Sequence, residues 1–399
     1  MAKRKIIMVG SQDEIFEELP PEDTELYVIQ LSSMIGPNLR NAATEIYEIE
    51  AFNDEQVLTG ARHFYERYAP DALFSFTEYG LLPAANAAKI LGLPGINAEI
   101  SELCRNKWKL RERLAATGLH VPFVMADNQT TLMKFAEQIG FPLVLKDPSG
   151  VGSINVKICY SLDEAVEFFD ELQQQYASVL VERYVPGTEY SLETLSIRGQ
   201  HELIGVTDKR LLPEGLVEQR HVYPAVLTSE ENTRLKHYAC LLLEQIQHQH
   251  GPMHIEVKVN GNLVSLIEIN NRPGGDYIWD MVNKVSGVNL VAETLRYAFD
   301  GQPDAMKRKA RRCYGAMSYI ALFRPISPSI IELAMKKLTK LDRVQCQVAS
   351  QTGERKVRNS FERPGFVLIG ERDSAALNAV LPNVEQWIDS QHNHQGRTL

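Results

Sequence analysis

The chain has 399 residues, 44% of them apolar and 23% charged, with a formal net charge of −9. That length exceeds one ordinary hydrophobic core and points to two or three domains. The acidic balance argues against a nucleic-acid partner, and no apolar run approaches the length of a membrane span. The run Ile6 to Val9 is too short for a signal peptide, and five cysteines without CxxC spacing read as reduced thiols of a cytoplasmic protein.

Residues 1–100 alternate short strands (Lys5 to Val9, Leu26 to Gln30, Ala72 to Phe76) with helical stretches (Glu55 to Tyr68, Leu81 to Leu91), the pattern of an open α/β domain. The basic triplets Lys3-Arg4-Lys5 and Lys307-Arg308-Lys309 read as solvated ends. Gly10-Ser11-Gln12-Asp13, after the first strand, is acidic and a poor phosphate cradle; neither a Gly-x-Gly-x-x-Gly nor a Walker A sequence is present. Ligands of such sheets bind beyond the carboxyl ends of the strands, so Glu78 is a candidate partner for a substrate amino group. A helix from Asn106 to Thr117 leads into the next region.

Pro142 to Lys146 reads as a buried strand ending in a lysine, followed by a loop with Ser149, Gly150, Gly152 and Ser153 and a return strand from Ile154 to Ile158. Backbone N–H groups of such a loop can close over phosphates, although loops of this kind also serve simply as turns. Val179 to Val185 is another apolar strand running into Pro186-Gly187. At its end Glu182 can accept from an exocyclic amine, neighbouring backbone can read a purine edge, and Glu189 lies within reach of a ribose. Farther on, Thr207 to Arg210 and Glu218 to Pro224 precede a long helix starting near Ser229 and are candidates to touch acyl donor or acceptor. His221 there either positions the amine or serves structure.

His254, Glu256 and Lys258 alternate with Ile255, Val257 and Val259, and Asn260-Gly261-Asn262 turns the chain back into Leu263. On the return strand Glu268, Asn270 and Arg272 share one face. A two-residue Asn-Gly loop would pair Val259 with Asn262 and part the two glutamates. A three-residue loop with a glycine bulge pairs Val259 with Leu263 and unites them, so the bulged turn is expected. Glu256, Glu268 and Asn270 then form an oxygen-donor set for a hard dication, with Mg²⁺ on nucleotide phosphates the expected use; Arg272 suits a phosphate or carboxylate. Gly274 and Gly275 allow a close backbone approach before a helix beginning near Tyr277, with Asp276 as its cap. Past Cys313, strands from Ala316 to Leu322 and Gly365 to Gly370 and an amphipathic helix from Ser374 to Ile388 complete the pattern and are expected to close the acyl-substrate pocket.

The order Lys107, Lys146, the Ser149 to Ser153 loop, Glu182 to Val185, Glu189, Glu256, Glu268, Asn270 and Arg272 resembles the ATP-grasp superfamily, from about Phe74 to Asp300. Within it the chain is similar to the carboxylate–amine ligases that include bacterial L-amino-acid ligases making dipeptides. The phrases that carry this are Glu78-Tyr79-Gly80, Gly92-Leu93-Pro94-Gly95, Asn106-Lys107 with Arg111 and Leu114, His221 with Pro224, His254-Ile255-Glu256 and Gly274-Gly275-Asp276. The resemblance implies an α/β ATP-grasp fold with an N-terminal α/β domain (1–100), a linker helix and lid subdomain (101–187), a catalytic core (188–312) and a C-terminal α+β subdomain (313–399). By the same resemblance, Lys107 and Lys146 contact the α- and β-phosphates, and Ser149, Gly150, Gly152 and Ser153 fold over the β/γ-phosphates. Glu182 and the backbone of Tyr184 and Val185 would hold adenine and Glu189 the ribose. Glu256, Glu268 and Asn270 would bind two Mg²⁺ ions, with Mn²⁺ as a substitute, and Arg272 would steady the transferring phosphoryl group. Asn106 departs from the pattern, in which Asp is frequent.

These residues imply ATP-dependent amide formation. An acyl phosphate is made from ATP, an amine displaces phosphate, and the protein acts by positioning and charge neutralisation rather than through a nucleophilic side chain. Small-molecule substrates, amino acids, and a homodimer are expected, with Gly274, Gly275 and Glu78 near the substrate. A ligase acting on a non-amino-acid carboxylate and a non-catalytic ATP-binding regulator are the alternatives.

Overall fold

The computed structural model describes residues 3–212, 216–300, 313–339, 345–348 and 359–394. Strands β1 (Arg4–Val9), β2 (Thr24–Leu31), β3 (Glu45–Ile49) and β4 (Ala72–Ser75) form a parallel sheet in the order β3-β2-β1-β4. Alternation along β1 explains its two cores. Ile7 and Val9 pack under helices α2 (Asp54–Tyr68) and α3 (Leu81–Leu91), which follow a short α1 (Pro37–Ala42), while Ile6 and Met8 meet Phe16 and Leu39 on the other face. Asn53 caps α2 by accepting from the Gln56 N–H, and Gly92, at φ +66°, ends α3. Arg4 and Lys5 are not a solvated end: they open β1, with Arg4 Nη1 donating to the Arg296 carbonyl (2.9 Å) and Lys5 Nζ to that of Tyr68 (3.1 Å). The triplet at 307–309 lies outside the described residues.

Helices α4 (Ala98–Arg105) and α5 (Lys107–Leu114) bridge to a small antiparallel sheet. Asn106, between them, caps α5 by accepting from the Lys109 N–H at 3.1 Å, a task Asn performs as well as Asp. Strands β5 (Phe123–Ala126), β6 (Leu143–Lys146), β7 (Val156–Cys159) and β8 (Val179–Arg183) run in the order β5-β8-β6-β7. Helices α6 (Gln129–Ile139) and α7 (Leu162–Gln173) bury Leu132, Phe135, Ala165 and Phe169 against them.

An eight-stranded antiparallel sheet follows in the order β13-β12-β9-β10-β11-β14-β16-β15. Its strands are β9 (Thr188–Ile197), β10 (Gln200–Leu211), β11 (Glu218–Tyr223), β12 (Gly251–Asn260), β13 (Leu263–Asn270), β14 (Ala316–Leu322), β15 (Gln345–Val348) and β16 (Gly365–Glu371). Helix α8 (Ser229–Gln245), started by a Thr228–Glu231 capping box, covers one face and buries Leu235, Tyr238 and Leu242 against Met253, Ile255 and Val257. Helices α9 (Ile278–Ser286) and α10 (Leu290–Asp300) lie between the sheets, and α11 (Pro328–Thr339) and α12 (Ser374–His394) pack on β14 and β16. The β14 and β16 strands thus continue the sheet that carries β9 to β13. Among the described residues no helix is long and apolar enough to cross a membrane, and none of the five cysteines is in a disulfide.

Away from the site, His248 is buried against the His201 ring and its Nε2 bonds the Gly251 carbonyl. Burial pulls its pKa down to about 4. A histidine depressed on folding contributes stability that is full above the unfolded value near 6.5 and is lost as pH falls toward 4. The protein should therefore lose about 2 kcal/mol between pH 6.5 and pH 5 through this group alone, at about 1.4 kcal/mol per unit. His248→Gln is expected to shrink the gap between urea midpoints at pH 7 and pH 5, and an unchanged gap contradicts this.

Candidate active site

The β12–β13 hairpin unites Glu256 and Glu268, but not through the expected three-residue turn. Gly261 and Asn262 form a two-residue loop closed by the Asn260 and Leu263 pair, with Gly261 at φ +57°; glycine is favoured at the first central position of a type II′ turn. The register it sets pairs Val259 with Val264 and Val257 with Leu266, and would carry Glu268 to the core face. An extra residue in β13, Ile267, shifts the ladder by one, so that Glu256 opposes Glu268 and His254 opposes Asn270.

Opposed residues of antiparallel strands share a face, and the register therefore lays out three polar rows. One runs Glu268, Glu256, Ser191, Thr207; the second Asn270, His254, Glu193; the third Lys258, Glu189, Lys209, His221, Tyr319. Carboxylates and cations interleave across them. Lys209 Nζ, nearly inaccessible, lies 2.5 Å from Glu256, 3.3 Å from Glu189 and 3.5 Å from Glu218, while Lys107 Nζ lies 3.2 Å from Glu268. Burial pushes the Glu256 carboxyl up, but Lys209 and His254 outweigh it and hold the group well below the carboxylate range. Glu189 goes the other way: burial raises it, and the repulsion from Glu256 adds to that against Lys209. Despite burial, His254 is raised to about 9 because it sits between Glu193 (2.7 Å) and Glu256 (3.1 Å).

A cavity of about 890 Å³ opens between this face and the sheet of β5 to β8. Lys107, Lys146, Glu182, Glu189, Glu256 and Glu268 line it, with Gly150, Gly152 and Ser153 from the glycine loop and Tyr184 and Val185 from the segment between β8 and β9. Glu182 accepts from Arg111 Nε (2.7 Å) and Lys146 Nζ (2.5 Å); burial opposes its ionisation, yet the two cations bring it down to about 2. Burial also draws Lys146 below its usual value, and the like charges of Arg111 and Lys107 add to that against the pull of Glu182. The Tyr184 N–H is used by the Pro142 carbonyl (3.2 Å), and Lys258 Nζ stands 4.9 Å from the Tyr184 ring centroid.

The glycine loop is drawn over the cavity by several ties. Ser149 N–H donates to Asp147 Oδ1 (2.8 Å), Lys107 donates its backbone N–H to Pro148 and its Nζ to the Gly150 carbonyl (2.7 Å), and Ser153 Oγ donates to the Leu216 carbonyl (2.6 Å). Ser153 holds φ +62°, a strained value for a residue with a Cβ.

The donor set suits a hard cation. Among the described residues no three His, Cys, Asp or Glu side chains gather as a complete metal cage. Two carboxylates and an amide are instead what Mg²⁺ takes when phosphate oxygens and water complete its shell. Ser191 Oγ and Thr207 Oγ1, next in the Glu268 row, are buried without a partner among the described residues, which fits an oxygen-rich, hydrated guest.

A second cavity, of about 610 Å³, lies at the end of the N-terminal sheet and is lined by Glu78, Tyr79, Arg105, Asn270 and Asn271 with the apolar Phe52 and Leu82. Glu78 bonds Arg272 Nε (2.8 Å) and Arg105 Nη1 (3.1 Å); burial opposes its charge, but the arginines keep its pKa low. His221 is enclosed, stacked on Tyr319 at 5.4 Å, with Nε2 3.1 Å from Asp276 and Nδ1 without a partner among the described residues. Asp276 does not cap α9: the residue before the helix is Tyr277, in the left-handed region, and the Asp276 carboxylate is taken by His221 and by Arg363 Nη2 (2.6 Å). Gly274 is required by crowding, since a Cβ there would lie 2.8 Å from His254 Nδ1, whereas a Cβ at Gly275 would meet nothing nearer than 3.9 Å. Arg105 and Arg363 join the constellation unannounced by any motif, and Lys209 belongs to the Thr207 to Arg210 stretch expected to touch acyl donor or acceptor. Lys209 alternates with Thr207 toward the same face, but only the strand order reveals three carboxylates beside it.

Residues 139–280 match the model of the ATP-grasp domain, and the chain is an ATP-grasp protein in fold. Among curated proteins it is 32% identical over 227 residues to the uncharacterized protein y4rH of Sinorhizobium fredii, covering 55% of this chain and 47% of that one. It is 26% identical over 289 residues to the alanine–anticapsin ligase of Bacillus subtilis, covering 63% and 60%. The chain thus spans about half the length of these relatives. The L-amino acid ligase of Bacillus licheniformis shares its fold, with a TM-score of 0.79 at 20% identity over 97% of this chain and 98% of the other.

Proposed function

We propose that this protein is an ATP-dependent carboxylate–amine ligase that joins L-amino acids through an acyl phosphate, releasing ADP and phosphate. The observation that carries the reading is the meeting of two cavities on one strand. Glu268 lines the first and Asn270, two residues along the same face, lines the second, about 7 Å away by strand rise. A nucleotide with its base by Glu182 and its phosphates toward Glu256 would present the terminal phosphoryl group to a carboxylate beside Asn270 and Arg272.

Mg²⁺ held by Glu256, Glu268 and Asn270 would neutralise phosphate charge. The remaining work belongs to the chain. Lys107 and Lys146 balance the phosphates, and Arg272 steadies the carboxylate as it attacks phosphorus and ADP leaves. The amine then attacks the acyl carbon, phosphate departs, and the amine proton passes to solvent or a neighbouring carboxylate. An acyl phosphate hydrolyses if wetted, which gives the glycine loop its task of excluding water.

A second reading, a ligase for a non-amino-acid carboxylate, draws on one feature. Glu78 is shared by Arg105 and Arg272, leaving one net positive charge beside the second cavity, which suits a carboxylate without requiring an amino group. The deciding experiment follows Mg²⁺- and ATP-dependent phosphate release across single and paired L-amino acids and simple carboxylates, with mass detection of condensed product. A dipeptide mass from particular pairs is expected. Product only with other carboxylates selects the second reading, and nucleotide binding without turnover on any of them refutes both.

A further inference from the structure

We propose that Arg111 is a positioning residue that holds the β13 bulge, and through it sets Glu268 on the metal-binding face in register with the nucleotide pocket. The proposal rests on the reading of that face as a site for nucleotide and divalent cation. Arg111 lies on α5, with no exposed side-chain surface. Its Nη2 donates to the carbonyls of Leu266 (3.2 Å) and Ile267 (2.9 Å), the two residues at the point where the ladder slips. A bulge leaves backbone groups outside the ladder, and buried carbonyls so displaced need a donor.

The consequences of the slip reach both sides of the strand. Without it Glu268 would face the core that Leu266 and Ile269 share with α8. With it, Glu268 faces Glu256 and the Ile267 side chain lines the nucleotide cavity. The same guanidinium donates Nε to Glu182 at the far side of that cavity. One rigid fork therefore spans the base pocket and the metal strand, a geometry the single ammonium of lysine cannot copy. Its third nitrogen, Nη1, is buried with no partner among the described residues. A fully buried guanidinium with an idle donor is a poor choice for stability alone, which points to the placement of the other two nitrogens as its purpose.

The test uses Arg111→Lys and Glu182→Gln in the full chain, with calorimetric binding of ADP without metal and Mn²⁺ binding to the ADP complex followed by electron paramagnetic resonance. Arg111→Lys should bind ADP within about threefold of wild type while its Mn²⁺ affinity falls at least about tenfold. Glu182→Gln, which keeps both carbonyl bonds, should show the converse: weakened ADP binding and Mn²⁺ affinity within about threefold. A folded Arg111→Lys protein with undiminished Mn²⁺ affinity overturns the role, as does a parallel loss of both affinities, which is the mark of a merely structural residue. Should Arg111→Lys not fold cooperatively, Glu182→Gln decides alone: retained Mn²⁺ affinity supports the bulge as the controlling element, and a tenfold loss overturns it. Wild-type protein that binds neither ADP nor Mn²⁺ refutes the nucleotide reading itself, a result distinct from all of these.

Discussion

Glu268→Gln is expected to lower metal-dependent phosphoryl transfer by roughly 10²–10³-fold or more while leaving a protein that unfolds cooperatively. The substitution is nearly isosteric, so the bulge and the Arg111 bonds behind it stay. What is lost is one of two facing negative charges and the partner of Lys107 Nζ, 3.2 Å away. Glu268 keeps about a fifth of its side-chain surface exposed, so the cost to stability should be modest, on the order of 1 kcal/mol. ADP release measured against Mg²⁺ concentration, alongside a thermal melt, separates the two effects. Full activity in this variant would sink the metal assignment, and loss of cooperative melting would make the residue structural.

Lys209→Met should be the most destabilising single change at the site. Lys209 has 2% of its side chain exposed and is the shared counter-ion of Glu189, Glu218 and Glu256; the three carboxylates together hold its pKa well above the ordinary lysine value even though burial pulls the other way. Methionine fills the volume but leaves three acids facing one another, and removing one partner of a buried pair costs roughly 3–5 kcal/mol. The sign with pH follows. Crowded carboxylates bind protons more tightly folded than unfolded, so the penalty grows as pH rises above their unfolded values near 4.3 and is smaller at pH 5.5 than at pH 8. Urea unfolding of variant and wild type at those two pH values checks it. Equal stability losses at both would show that Lys209 acts by packing rather than charge.

Much of this was legible from the chain, and the failures have a common physical origin. Strand alternation puts Glu268 and Asn270 on one face of their own strand because period two is local information. The boundary of α3 was equally legible, since Gly92 marks the stop. Glycine in the turn is a visible cue for a bulge there, whereas nothing in Leu266-Ile267-Glu268 announces an extra residue, and the carbonyls at the bulge are met by an arginine more than 150 positions away. Asp276 looked like a cap by position, yet Arg363, from near the far end of the chain, claims its carboxylate. Half-buried β3 carries little sequence signal because its alternation is weak and its strand is an edge. Local pattern shows which side chains a strand offers, and only tertiary pairing decides what they meet.

The interleaving of lysines with carboxylates on the sheet face carries a thermodynamic consequence. Glu256 and Glu268 each hold a lysine, so a dication approaching by itself meets ammonium groups already in place. A polyphosphate approaching by itself meets the carboxylates. When both arrive, the cation takes the acids and the cavity-lining Lys107 can turn from Glu268 to phosphate, exchanging one partner for another. Metal and nucleotide should therefore raise each other's affinity by the same factor, as linkage requires, and the protein should respond weakly to either one offered alone.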